Sequence, residues 1–138
     1  MEKYISNSAE KTAKIAKKIA KTCKKGDNLL LFGDLGAGKT VFAKGFISAF
    51  LKKQNVVSPT FTIVNTYGEK NPIYHFDLYR INDIRELDEI GFFDYVYGNG
   101  ICLIEWPERL MGVNLKNTIK VQILKIDDET REIIVEKN

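Results

Sequence analysis

The chain has 138 residues and a mass of 15.7 kDa, which is enough for one folded domain and too little for two. Its 44% hydrophobic and 28% charged residues exclude a disordered chain, and a net charge of +3 is too small to indicate nucleic-acid binding. No apolar run approaches the roughly 20 residues of a membrane helix, and the first residues lack the apolar core of a signal peptide. The two cysteines form no CxxC pair or disulfide framework. We therefore expect a reduced, cytoplasmic protein with one domain, residues 1–138.

The first part of the chain predicts two helices with a strand between them. Apolar spacing predicts a helix over residues 8–24, with Asn7 or Ser8 as its N-cap. Lysines cover the other side of this helix. We interpret them as a solvated face, with a docking surface for a partner or an RNA as the alternative. Residues 28–32 form a short apolar run typical of a buried strand, and a glycine-rich loop then leads into a second helix over residues 38–53.

The rest of the chain predicts five strands and a helical segment. The strands are predicted from short apolar or alternating runs bounded by turn residues, at 60–67, 73–77, 101–105, 118–126 and 131–136. The run at 101–105 is unbroken apolar sequence that ends in an acid, so it should be a central strand. Asp83 is expected to cap a helical segment that Gly91 ends or bends. Strands that alternate with helices indicate an α/β sheet, parallel at its centre and made mixed by a C-terminal antiparallel hairpin.

One motif carries the chemistry. Residues 33–40 satisfy the pattern G-x-x-x-x-G-K-[ST] between an apolar strand and an amphipathic helix, which predicts a P-loop NTPase fold. Glycines let backbone N–H groups approach a phosphate, and the helix points its positive end at the β-phosphate. Lys39 supplies a charge to the β- and γ-phosphates, and the Thr40 hydroxyl is placed to ligate Mg²⁺. The residues that we assign to phosphate binding are Leu35, Gly36, Ala37, Gly38, Lys39 and Thr40.

Magnesium binding and water activation need carboxylates at strand ends near this loop. Glu105 ends the most apolar strand, as the acid of a Walker B element does, and Asp77 ends the strand at 73–77. The alternative for each is a strand-end or capping charge without a catalytic role. Thr60 and Thr62 are candidates for sensing the γ-phosphate and Mg²⁺, although the preceding Ser-Pro pair is also ordinary turn chemistry.

Three further residues have simpler interpretations. Trp106 is the only tryptophan, and it can either pack near the nucleotide or serve packing alone. We interpret His75 as a buried strand residue rather than a base, because its neighbours are apolar and no nucleophile partner is evident. Cys102 lies inside a central strand and is interpreted as inert core.

Four ordered segments resemble the signature segments of one family, and the resemblance extends over nearly the whole chain. These segments are Phe32–Thr40, Ser58–Thr62, His75–Arg80 and Leu103–Glu108. The family is TsaE, also called YjeE, a bacterial P-loop ATPase needed for threonylcarbamoyladenosine modification of tRNA. The resemblance implies ATP and Mg²⁺ as cofactors, with hydrolysis that is weak alone and stimulated by partners. It also implies the partners TsaB and TsaD, which modify adenosine 37 of tRNAs reading ANN codons. The family is expected to reset that complex, so tRNA is reached only indirectly.

The resemblance also implies roles for single residues. Thr40 and Glu105 would hold Mg²⁺, and Asp77 would be essential for hydrolysis. Together with the residue pattern, this makes Lys39, Asp77 and Glu105 the candidate catalytic residues. Contacts with the nucleotide would extend beyond the P-loop to Ser8, Trp106 and Arg131. Of these three, only Trp106 lies within a signature segment.

Two alternatives come from other function classes. A small-molecule kinase on the same fold needs an acceptor pocket, a lid and several arginines, whereas this chain has four arginines and no spare segment for a lid. A non-catalytic nucleotide-binding switch would not need the intact set of Lys39, Thr40, Asp77 and Glu105. A partner-dependent ATPase accounts for both observations.

Overall fold

The structure, a computed structural model, describes residues 1–52 and 56–137. Within these residues seven strands form one sheet and four α-helices pack on it. The strands are β1 Glu2–Ser6, β2 Asn28–Phe32, β3 Val64–Tyr67, β4 Ile73–Asp77, β5 Ile101–Glu105, β6 Thr118–Lys125 and β7 Arg131–Lys137. The helices are α1 Ala9–Ala20, α2 Lys39–Ser48, α3 Arg85–Glu89 and α4 Phe92–Val96, with a 3-10 turn at Pro107–Leu110.

The sheet has the order β1-β7-β6-β2-β5-β4-β3. Its centre is parallel, because β6, β2, β5 and β4 all run in the same direction. The outer strands β1, β7 and β3 are antiparallel to their neighbours. Every residue of β5 is buried, as its unbroken apolar sequence predicts. This confirms the predicted P-loop NTPase fold with a mixed, mostly parallel sheet and a C-terminal hairpin, here β6 and β7.

Helices cover the two faces of the sheet differently. On one face, α1 and α2 pack on each other and on the apolar side chains of the central strands. Gly45 of α2 lies directly against the backbone of α1, and a Cβ at this position would overlap the Ala13 carbonyl. On the other face, α4 packs through Phe92 edge-on to Phe76 of β4, at 5.1 Å between ring centroids. The face with α1 and α2 is the one that carries the P-loop helix.

The first helix begins where the sequence predicts and ends earlier. Ser8 is the N-cap, since its side chain accepts the N–H of Lys11 at 3.0 Å. The helix ends at Ala20 rather than at residue 24, because the next turn tightens to three-residue bonds. The N–H of Thr22 donates to the carbonyl of Ile19, and the Thr22 hydroxyl donates to the same carbonyl. The predicted boundary was wrong because apolar spacing continues past the last helical bond.

Other boundaries also shift. α2 ends at Ser48, and its predicted end at residue 53 lies outside the described residues. β3 begins at Val64 rather than at residue 60, because Ile63 has a left-handed φ of 71° and donates its N–H back to Pro59. Asp83 does not occupy the cap position of α3 itself. It lies one residue before it and accepts the N–H of Arg85 at 2.9 Å.

The edge strand β1 was not predicted from the sequence. Its side chains are mostly exposed, so they carry little hydrophobic pattern, and its order comes from backbone pairing with β7. Across residues 1–52 and 56–137, no helix has both the length and the hydropathy needed to cross a membrane.

Candidate functional site

The glycine-rich loop joins β2 to α2 at the edge of the sheet where the central parallel strands end. Gly36 and Gly38 have φ values of +80° and +106°, a left-handed backbone that glycine adopts without steric cost. Gly38 occupies the N-cap position of α2, and no side chain there accepts a hydrogen bond from the first turn. The helix therefore presents uncapped N–H groups and the positive end of its dipole, which is a favourable place for a phosphate.

Lys39 is the first residue of α2 and is only 7% exposed. Its Nζ makes no hydrogen bond with any described residue and lies 3.8 Å from the centre of the Trp106 indole. Burial lowers the pKa of Lys39, and the carboxylates of Glu105 and Asp77 oppose that effect. A buried ammonium without an acceptor is costly, and phosphate oxygens would supply the missing acceptors.

Asp77 and Glu105 end neighbouring parallel strands and lie opposite each other in register. Both are buried, at 6% and 4% exposure. Asp77 accepts two hydrogen bonds, from the Thr60 hydroxyl to Oδ2 at 3.2 Å and from the Tyr79 N–H to Oδ1 at 2.9 Å. The structure therefore brings the two acids named from the sequence together at one edge of the sheet.

Glu105 has a different partner, which the sequence did not reveal. Its Oε2 lies 2.5 Å from Nε2 of His75. The prediction that His75 is buried in a strand is confirmed, at 1% exposure, but the hydrogen bond to Glu105 was missed. The spacing contained part of the signal, because side chains two apart on a strand share a face and His75 therefore shares one with Asp77. The other part, that Glu105 lies opposite Asp77 and so within diagonal reach of His75, comes from the register of the sheet.

Thr60 and Thr62, the two threonines considered as nucleotide sensors, have different hydrogen-bond partners in the structure. Thr60 contacts Asp77 and also exchanges a hydrogen bond with Ser58 at 2.7 Å, so it belongs to the site. Thr62 is exposed and donates instead to Asn65 at 2.9 Å. Only the first of them touches a site residue.

Arg131, at the start of β7, contacts the P-loop backbone. Its Nε donates to the Ala37 carbonyl at 2.8 Å and its Nη2 to the Gly36 carbonyl at 3.3 Å. Its Nη1 donates to carbonyls of the hairpin turn, those of Asp127, Asp128 and Thr130. The guanidinium therefore ties the hairpin to the loop, a bracing contact that sequence reasoning did not identify.

A cavity of about 380 Å³ opens beside this contact. It is lined by Ser8 at the start of α1, by Gly38 and Val41 of the P-loop helix, and by Arg131. Its volume falls in the range of small-molecule sites, and its position next to the P-loop suits the nucleoside end of a nucleotide. Ser8 and Arg131, which lie 123 positions apart, thus border one cavity with the loop.

The oxygen donors at the site suit Mg²⁺ when a nucleotide is bound. Thr40 is exposed in the first turn of α2, and together with the carboxylates of Asp77 and Glu105 it provides the hard oxygen ligands that Mg²⁺ prefers. In the described part of the chain, no group of three or more His, Cys, Asp or Glu residues can hold a metal by itself. Mg²⁺ commonly takes one or two carboxylates and completes its shell with substrate phosphates and water. The donor set fits that mode.

Trp106 directly follows Glu105 and has a left-handed φ of 57°. Its ring contacts the Lys39 ammonium and also the ring of Tyr79, whose centroid lies 4.8 Å from its own. The guanidinium of Arg109 lies 5.6 Å from the same Tyr79 ring. The tryptophan is therefore in contact with the lysine of the P-loop.

Comparison with known proteins gives a consistent result. A family model described as "Threonylcarbamoyl adenosine biosynthesis protein TsaE" matches residues 6–133. The "tRNA threonylcarbamoyladenosine biosynthesis protein TsaE" of Bacillus subtilis strain 168 is 40% identical over 132 residues, or 95% of this chain and 82% of that protein. The protein of the same name from Treponema pallidum is 34% identical over 131 residues, or 95% and 97%. A crystal structure of Bacillus subtilis YdiB matches with a TM-score of 0.77 at 39% identity, covering 96% of this chain and 82% of that one. The chain belongs to the TsaE family of threonylcarbamoyl adenosine biosynthesis proteins.

Proposed function

We propose that this protein binds ATP with Mg²⁺ and hydrolyses the ATP as a step in threonylcarbamoyladenosine modification of tRNA. The observation that carries the nucleotide part is the buried, unpartnered ammonium of Lys39 at the start of α2. It stands beside the paired carboxylates of Asp77 and Glu105, a combination that a transferring phosphoryl group and a divalent cation would satisfy. The names of the relatives support the tRNA part.

In this proposal, phosphate binding, Mg²⁺ binding and activation of water are carried out by different residues of the site. The loop N–H groups of residues 35–40 and the Lys39 ammonium bind the β- and γ-phosphates. Thr40 and Glu105 hold Mg²⁺, which would neutralise charge that develops on those phosphates. Asp77, held by its bonds from Thr60 and Tyr79, orients the attacking water and accepts its proton.

The nucleoside end would occupy the cavity beside the P-loop. Ser8 and Arg131 line that cavity, although each already has a structural hydrogen bond that constrains it. We therefore propose that Arg131 acts on the nucleotide mainly by holding the loop carbonyls. Trp106 would report on nucleotide binding through its contact with Lys39.

Hydrolysis serves a larger assembly in this proposal. The protein acts with TsaB and TsaD, which carry out the transfer to adenosine 37, and ATP turnover resets that complex. Membership in the TsaE family supports this view, because its relatives are named for threonylcarbamoyladenosine biosynthesis. The tRNA is then reached through the complex.

Single-turnover hydrolysis of ATP, measured with and without TsaB and TsaD, tests this proposal. We expect slow release of phosphate from the protein alone and faster release with the partners. Asp77→Asn should bind ATP yet lose turnover by about a hundredfold or more, as loss of a general base commonly does. Asp94→Asn is a matched control, because this exposed acid lies in α4 on the other side of the sheet.

The two alternatives predict different products in the same assay. A small-molecule kinase would transfer phosphate to an added acceptor and release little free phosphate. A non-catalytic switch would show no stimulation by TsaB and TsaD, and Asp77→Asn would match the wild type. Either result would reject partner-stimulated hydrolysis.

A further inference from the structure

We propose that His75 is a positioning residue that sets the orientation of the Glu105 carboxylate for Mg²⁺. The proposal deepens the proposed function and rests on it. His75 lies on β4, two positions before Asp77, and its ring reaches diagonally to the end of β5. Its Nε2 lies 2.5 Å from Oε2 of Glu105, with both side chains almost fully buried.

The hydrogen bond fixes one oxygen of Glu105 and leaves the other for a cation. A carboxylate only accepts, so the tautomer of His75 that forms this bond with it is the one that carries a hydrogen on Nε2. This bond occupies Oε2, whereas Oε1 accepts no hydrogen bond from the described residues. A side chain such as Glu has several rotatable bonds, and a bond to one oxygen selects a single orientation for the other.

A histidine that served packing alone would be a poor choice at this place. The other ring nitrogen, Nδ1, is buried and has no partner among the described residues. An apolar side chain would fill the same space beneath α2 without leaving a polar atom unsatisfied. The one interaction that a histidine provides here, and an apolar residue does not, is the bond to Glu105.

The register of the sheet explains why Asp77 cannot provide the same support. Asp77 lies directly opposite Glu105, and both lie on the face of the sheet that packs against α2. Two ionised carboxylates repel each other, and neither has a hydrogen to donate to the other. His75, one pleat further back, approaches Glu105 from the side away from the strand end and holds it from there.

Two amide variants test the proposal. His75→Gln places an N–H donor near the position of Nε2, whereas the shorter His75→Asn places it near Nδ1, out of reach of Glu105. For each protein we would measure binding of a non-hydrolysable ATP analogue by calorimetry, first with EDTA and then across a Mg²⁺ titration. We expect all three to bind equally without Mg²⁺. His75→Asn should need about ten- to a hundredfold more Mg²⁺ for half-maximal enhancement, as loss of a group that orients a metal ligand commonly does.

Rescue by the longer amide is the decisive comparison. His75→Gln should return the Mg²⁺ midpoint close to the wild-type value. The proposal is overturned if His75→Asn keeps the wild-type midpoint, or if His75→Gln is as impaired as His75→Asn. It is also overturned if the variants lose Mg²⁺-free binding, since His75 would then serve the fold. A wild-type protein that shows no Mg²⁺-dependent binding would instead reject the proposed function itself.

Discussion

Replacing Lys39 with methionine should abolish most nucleotide affinity without unfolding the protein. Methionine keeps much of the length and apolar volume of the lysine stem and removes the ammonium. One charge-assisted hydrogen bond contributes about 1.5–3 kcal/mol, which corresponds to roughly a 10- to 150-fold loss of ATP affinity. The loss of ATP affinity should be this large because the Lys39 ammonium is buried at the loop. It also makes no hydrogen bond with a described residue that would have to break before it could bind a phosphate.

The same substitution should not lower the free energy of unfolding of the nucleotide-free protein. A buried donor without a partner costs about 1–3 kcal/mol, while the contact of the ammonium with Trp106 returns about 0.5–2 kcal/mol. Lys39→Met should therefore leave the free energy of unfolding near the wild-type value or raise it by up to about 2 kcal/mol.

The pH dependence has a definite sign. Burial lowers the pKa of Lys39 below its ordinary value of 10.5, so the folded state loses this proton before the unfolded state does. Below the pKa of Lys39 in the folded state, burial of the charged ammonium lowers the free energy of unfolding by its full amount. This destabilisation decreases as the pH rises from that pKa to 10.5. The wild type should accordingly gain stability relative to Lys39→Met across this alkaline range.

Calorimetry with ATP and urea denaturation without it would measure both effects. Lys44→Met is the matched control, because Lys44 lies on the same helix and is exposed. It should change neither quantity appreciably. Wild-type ATP affinity in Lys39→Met would refute the P-loop assignment. A loss of more than about 2 kcal/mol of stability would refute the reasoning from an unpartnered ammonium.

Two further substitutions and one labelling experiment test other parts of the structure. Arg131→Lys keeps the charge but loses the fork that holds the P-loop carbonyls, so it should lower the free energy of unfolding by about 1 kcal/mol and weaken ATP binding severalfold. Unchanged ATP binding by calorimetry would argue against a bracing role for Arg131. Gly45→Ala should cost about 1–3 kcal/mol in urea denaturation, because the new methyl overlaps the backbone of Ala13, and a more stable variant would contradict that contact. Burial raises the pKa values of Cys23 and Cys102 to about 12, so at pH 8 only about one thiol in 10,000 is ionised. Ellman's reagent should therefore label the native protein slowly. Rapid labelling would contradict the raised thiol pKa values.

The parts of the fold that the sequence predicted are those with a strong local signal. β4 and β5 have the predicted bounds, because each is a short apolar run closed by an acid. The P-loop was found for a similar reason, since its glycines and lysine have a fixed spacing between a strand and a helix. β1 was not predicted because its backbone hydrogen bonds are to β7, which lies at the other end of the chain.

The candidate site shows the same limit. Asp77 and Glu105 could be named because an acid directly after a buried run is rare. The bond between His75 and Glu105 depends on strand order and register, which the sequence does not state. The contact of Arg131 with the P-loop joins residues 94 positions apart and depends on how the hairpin folds over the loop.

The surroundings of the two acids explain how side-by-side carboxylates can take different roles. In register alone, Asp77 and Glu105 are equivalent, since each ends a parallel strand and lies on the face of the sheet that packs against α2. Their hydrogen bonds separate them. Asp77 is held by the hydroxyl of Thr60 and by the backbone N–H of Tyr79, both from segments outside β4 and β5. Glu105 is held from within the sheet by His75, whose side chain makes no hydrogen bond with either of those segments among the described residues. A change in the segment around Thr60, such as one caused by a partner, would therefore reach Asp77 first and leave Glu105, the acid that we propose binds Mg²⁺, in place. In the ATPase that we propose, this arrangement would allow hydrolysis to be controlled separately from nucleotide binding.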